Sequence, residues 1–158
     1  MRLTKGSATA VFPERPAVTR FKGAVSPVIL APHIVTMFTG MLVANAAGLL
    51  ALRGEKRLFR IALVVVVLLS IGGLFLGPLV QKQAFGAYWT GWPFGTDLTD
   101  NKTAVAVLAW AVAAFLARGG RDARKAAVVA AVVTLAVFLV PHSAWGSQVD
   151  WSKLPPPR

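Results

Sequence analysis

The sequence predicts an all-α fold: an integral membrane four-helix bundle built as two antiparallel helical hairpins. Two observations carry that expectation. Apolar residues make up 56 % of the 158 residues and charged residues only 15 %, against roughly 25 % charged in ordinary globular domains. The charges are also segregated, so that Ile61 to Val80 is a run of twenty residues without one. At about 1.5 Å per residue, a helix of that length crosses the roughly 30 Å hydrocarbon core.

Residues 1–25 read as a polar extramembrane tail. Gly6, Pro13, Pro16 and Gly23 interrupt it, and it lacks the apolar stretch of a cleavable signal peptide. Irregular chain is expected there. The membrane domain is expected over 26–140, with spans at about 27–52, 58–80, 98–117 and 122–140. Pro27 and Pro32 fall in the first turns of the first span, where a missing backbone donor costs little. Arg53, Lys56 and Arg57 close that span around Gly54. Gly72, Gly73 and the pair Gly77-Pro78 are expected to loosen the far end of the second.

The longest connection, 81–101, reads QKQAFGAYWTGWPFGTDLTDN. Its aromatics alternate with turn residues, which predicts an ordered interfacial loop in place of a flexible linker. Asp97 or Thr99 is suited to capping the third span, and Asp100 in a first turn suits the helix dipole. The fourth span has only fifteen uncharged residues, 126–140. It crosses if residues 121–125 extend the helix with their charged heads reaching outward, or if neighbours shelter it. Pro141 ends it, and 141–158 trails as a surface tail.

LALRGEKR closes the first span and FLARGGRDARK closes the third. Each is a basic glycine turn leading into another helix, as a duplicated hairpin would give. Membrane orientation alone also selects two basic turns. By the charge rule these short turns face the cytoplasm of a cell inner membrane. The aromatic loop and both termini then lie outside. The basic N-terminal tail, with Arg2, Lys5, Arg15, Arg20 and Lys22, pulls the other way, but short loops carry the rule best.

The net charge of +11 does not imply nucleic acid, because the cations cluster at the ends of apolar runs where lipid headgroups lie. With no cysteine in the chain, disulfides, thiolate zinc sites and iron–sulfur clusters are excluded. The span interiors hold no Asp, Glu, Lys or Arg, which argues against an ion-coupled transporter. No catalytic motif is present, and no small-molecule substrate is implied.

The residues with chemistry gather on one expected face. His33 near the start of the first span and His142 just beyond the fourth form a candidate pair for haem b or copper. Met37 and Met41 follow His33 at helical spacing and add thioethers to that face. Tyr88, Trp89, Trp92, Phe94, Trp145 and Trp151 are candidate partner-docking residues, or an interfacial aromatic belt. Asp97 and Asp100, with Asn101, His142 and Asp150 on the same face, are weaker candidates for a divalent cation. Asn45, with Gly40, Ala44 and Gly48, reads as a helix-packing face. The expectation is a small non-catalytic subunit of a respiratory or photosynthetic electron-transfer complex, with lipid and other subunits as partners. The alternatives are a cofactor carrier using His33 and His142 and, last, a channel.

Overall fold

The computed structural model describes residues 2–5, 8–11, 22–95 and 98–140. Apart from a short antiparallel ribbon, β1 (Arg2–Lys5) and β2 (Ala8–Val11), every described element is helical. The ribbon corrects the expectation of wholly irregular chain before the first span. The helices are α1 (Pro27–Leu52), α2 (Leu58–Leu69), α3 (Gly77–Phe85), α4 (Leu98–Ala117) and α5 (Arg124–Leu139). A π-helical segment, Ser70–Leu76, joins α2 to α3 without a break. Among the described residues three helices are long and apolar enough to cross a membrane: Pro27–Leu52, Leu58–Phe85 and Asp100–Gly120. The 16 residues of α5 rise about 24 Å and fall outside that set.

The bounds of α1 follow from local chemistry. Pro27 sits in the first turn, where its missing N–H is no loss. Gly54 turns the chain at the other end with φ +78°, a left-handed conformation suited to glycine. The second rod departs from expectation. It was expected to end near residue 80, yet it continues to Phe85 and stops at Gly86, where φ is +85°. The widened π turn lies immediately before Pro78, which has no N–H to give. The glycines thus sit inside a continuous rod and do not fray its end. The loop is correspondingly shorter, since Gln81, Lys82, Gln83, Ala84 and Phe85 are helical.

The helices close into a ring in which α1 packs on α2, α2 on α4, α4 on α5 and α5 back on α1. Small residues line the seams. A Cβ on Gly48 would press against the Ala131 methyl, one on Gly40 would meet Leu69 at 2.9 Å, and one on Gly73 would run into the Thr103 methyl. In lipid such close approach supplies the association energy that water-driven burial does not. Ala44, Ala47, Ala51, Ala106, Ala127 and Ala130 fill the interior between these contacts.

One large side chain occupies the centre. Trp110 is fully buried, and its Nε1–H donates to Thr134 Oγ1 at 2.9 Å. The Thr134 hydroxyl in turn donates to the Ala130 carbonyl at 2.7 Å. Both polar atoms are thereby satisfied in an apolar interior, as they must be. The Asn45 amide donates to the Met41 carbonyl of its own helix at 2.9 Å.

A double-mutant cycle tests the central contact. Thr134→Val and Trp110→Phe should each destabilise the bundle in a denaturation titration, with a coupling of about 0.6–1.7 kcal/mol, the range of interhelical hydrogen bonds in membranes. Additive effects would show that the pair does not interact.

Candidate functional site

The turns and loops sort onto two ends. Residues of both basic turns line one cleft, so those turns share an end. At the other end the approach to α1 docks on the close of α3: the Gly23 N–H donates to the Ala84 carbonyl at 2.8 Å, and the Ser26 N–H to Gln83 Oε1 at 2.7 Å. The start of α4 meets the end of α5 there too, where Lys102 Nζ donates to the Val140 carbonyl at 2.8 Å. A cation on the terminal carbonyls of α5 also suits the dipole of that helix.

The aromatic loop is held from beneath by Asp100. This carboxylate is 8 % exposed in the first turn of α4. Its Oδ2 accepts the backbone N–H of Thr90 at 2.7 Å, that of Gly91 at 3.0 Å and the Gln81 amide at 3.2 Å. Gln81 Nε2 also donates to Thr90 Oγ1 at 2.6 Å. Hydrogen bonds to an ionised acceptor are roughly twice as strong as neutral ones, so α3, the loop and α4 are tied at one point. The fit is tight: a Cβ on Gly91 would lie 2.6 Å from Asn101 Oδ1.

Above this clamp the aromatics divide into two kinds. Trp89 is half-buried, and its Nε1–H donates to the Trp92 carbonyl at 3.2 Å, so it braces the loop. Tyr88 stands outward with Lys82 Nζ 5.3 Å above its ring, while that ammonium also donates to the Gly86 carbonyl at 2.7 Å. Trp92 is 75 % exposed and Phe94 82 %. A backbone turn fixes the tip, with the Phe94 and Gly95 N–H groups both donating to the Gly91 carbonyl at 2.9 Å. The result is an apolar ledge on a fixed backbone.

His33 lies at the same end. Its Nδ1 is 2.8 Å from the Gly72 carbonyl. A carbonyl only accepts, so Nδ1 carries the proton and a neutral ring keeps its lone pair at Nε2. The Gly72 carbonyl belongs to the π segment and also accepts the Gly77 N–H. A cavity of about 290 Å³ opens beside the ring, lined by His33, Ile34, Met37, Phe38, Met41 and Phe138. Met37 has a packing task as well, since its Sδ covers Gly72 and Gly73. The Phe138 wall brings the last turn of α5 against this face of α1.

The sequence-derived candidates thus fall into three groups. His33, Met37 and Met41 share one cavity, and Tyr88, Trp92 and Phe94 share one exposed loop. His142, Trp145, Trp151, Asp97 and Asp150 lie outside the described residues. Among the described residues no three His, Cys, Asp or Glu side chains come together, and Asp100 is turned inward to loop and helix donors. Sequence reasoning missed Gln81, Thr90 and Lys102. Two of them leave a signal: an amide and a cation at the borders of apolar helices, both buried, need partners.

The opposite end is solvated and basic. Arg57 pairs with Glu55 at 3.1 Å and Arg124 with Asp122 at 2.7 Å. In each turn the carboxylate also accepts the backbone N–H of the arginine two residues on. These side-chain hydrogen bonds lower the pKa of both acids, that of Asp122 to about 2. No protein-family model, curated protein or solved structure matches this chain.

Asp100→Ala should free the loop while leaving the helices in place. Hydrogen exchange at the Thr90 and Gly91 amides should rise at least about tenfold, the equivalent of one 1.4 kcal/mol interaction; unchanged protection would show that the clamp is dispensable. Asp122 should remain ionised at pH 3. The Asp122–Arg124 bond contributes fully above the ordinary carboxylate pKa of 3.8 and is lost as pH falls through about 2. A carboxyl NMR titration with a midpoint near 3.8 would contradict the pairing.

Proposed function

We propose that this chain is a small non-catalytic subunit of a larger membrane complex, and that it holds a partner subunit on its aromatic ledge. One observation carries the reading: Trp92 and Phe94 are exposed at the tip of a loop whose backbone Asp100 fixes from below. Aromatics that only float at the headgroup level need no fixed backbone. Binding anchors gain from one, because a rigid paratope loses little entropy when its partner arrives. All four helices cross the bilayer in this reading, with Arg124 and Lys125 extending α5 to the headgroups. The ledge lies outside and the basic turns lie in the cytoplasm of a cell inner membrane, as short-loop charge favours. The parent complex is an electron-transfer assembly, respiratory or photosynthetic.

A second reading has its own support in the His33 ring. Its Nδ1–H is engaged by a backbone carbonyl, the arrangement that commonly orients a ligating imidazole and leaves Nε2 for a metal. Imidazole with the thioethers of Met37 and Met41 is a donor set for copper(I). The cavity of about 290 Å³ sits at the lower edge of ligand-pocket sizes, roughly 300–1,000 Å³. That volume favours a metal ion over a haem. Haem b would in addition require His142 as its second axial ligand.

Three measurements test these readings. Trp92→Ala with Phe94→Ala should release the chain from its complex while leaving it inserted, since each buried aromatic anchor costs about 2 kcal/mol or more when truncated. Co-purification of that variant at native stoichiometry would return the ledge to a lipid-facing role. A reporter placed after Gly54 or Gly119 should be cytoplasmic, and one placed after Gly86 external; the reverse pattern would mean that the basic N-terminal tail sets orientation. Metal analysis and a reduced-minus-oxidised spectrum of the intact complex should show copper, or a haem band, that His33→Ala removes. Neither signal in an intact preparation would leave His33 as a helix-packing residue.

A further inference from the structure

The basic end carries a site that the aromatic ledge does not explain. Between the two turns lies a cleft of about 530 Å³, bounded by Lys56 and Phe59 on one side and by Arg121 and Arg124 on the other. Gly54 and Gly120 leave it open, having no side chains to fill it. Beside it, between the last residues of α1 and the first turns of α5, lies a second cavity of about 510 Å³. Its walls are apolar (Ala51, Leu52, Val128 and Val129), with Lys125 at the mouth. Asp122 and Arg124 border both cavities, so the two adjoin.

The charges within the cleft are unevenly committed. Glu55 is taken up by Arg57, and Asp122 by Arg124. Among the described residues Lys56 and Arg121 form no ion pair with an acidic side chain, Lys125 adds its charge to the field on Asp122, and all three cations are exposed. A polar cleft with surplus cations, beside an apolar groove between the adjoining ends of α1 and α5, matches a molecule with an anionic head and a hydrocarbon tail. We propose that this end binds one anionic phospholipid, its phosphate between Lys56 and Arg121 and an acyl chain along the α1–α5 groove. A free phosphate would use the cleft and leave the groove idle. Cations near the membrane surface each contribute about fivefold to anionic-lipid affinity.

The test uses the full chain in nanodiscs of phosphatidylcholine, with and without phosphatidylglycerol. Native mass spectrometry should find one phosphatidylglycerol retained per chain, and the thermal midpoint should rise in its presence. Lys56→Gln with Arg121→Gln should cut retention by roughly 25-fold, at about fivefold per cation. Lys22→Gln, an exposed charge change at the opposite end, should leave retention unchanged. Val129→Trp, which fills the groove, should weaken retention with all the cations intact. Equal loss in Lys22→Gln, or no loss in the double variant, would overturn the site. Stabilisation by inorganic phosphate in pure phosphatidylcholine discs, equal to that by phosphatidylglycerol, would overturn the lipid assignment in favour of a free anion.

Discussion

Helices surrounded by lipid gain little by hiding apolar surface, so they must hold one another by close contact and by pairing every polar atom. That constraint explains most of what is unusual here. The seams are made where Gly40, Gly48 and Gly73 let a neighbour approach to van der Waals distance. The bulkiest buried side chain among the described residues, Trp110, is admitted because Thr134 accepts its N–H and itself donates to a carbonyl of its own helix. The His33 ring is likewise admitted beside the π turn because the Gly72 carbonyl is available there. Polarity that cannot be paired locally is driven to the ends, and the ends therefore carry the chemistry.

The two ends solve different problems. Asp100 gathers three donors from α3 and the loop into one buried carboxylate, giving a rigid platform with its aromatic tip outward. At the other end nothing charged is buried. Glu55 and Asp122 each organise a turn by holding the backbone and the guanidinium of the arginine two residues on. The two turns thus share one design, and each hairpin contacts the other through both of its helices.

Much of the framework is legible in the sequence because its signals are local. The proline at residue 27 and the arginine–glycine pair at 53–54 bound α1 to the residue. The end of α2 and α3 is less legible. Gly72, Gly73 and Gly77-Pro78 are terminators in water, whereas here a π turn carries the helix past them and puts the glycines to use against Met37 and Thr103. The site is legible in its residue types only. Local sequence marks Asp100 as a helix-capping acid; its partners lie nine to nineteen residues upstream and are brought to it by the hairpin. The four loop aromatics look alike in sequence, yet burial makes Trp89 a brace and leaves Trp92 and Phe94 as the exposed tip.

The arrangement of the ends is what every functional reading rests on, and one spectroscopic measurement addresses it directly. The chain has no cysteine, so spin labels can be placed in pairs without first removing a native thiol. Double electron–electron resonance on Lys56→Cys with Arg121→Cys should give a short, narrow distance distribution, because both residues border one cleft. Lys56→Cys with Phe94→Cys should give about 40 Å, the rise of the 28-residue rod Leu58–Phe85. Two basic turns as far apart as the second pair, or a Phe94 label close to Lys56, would contradict the bundle and the division of labour between its ends.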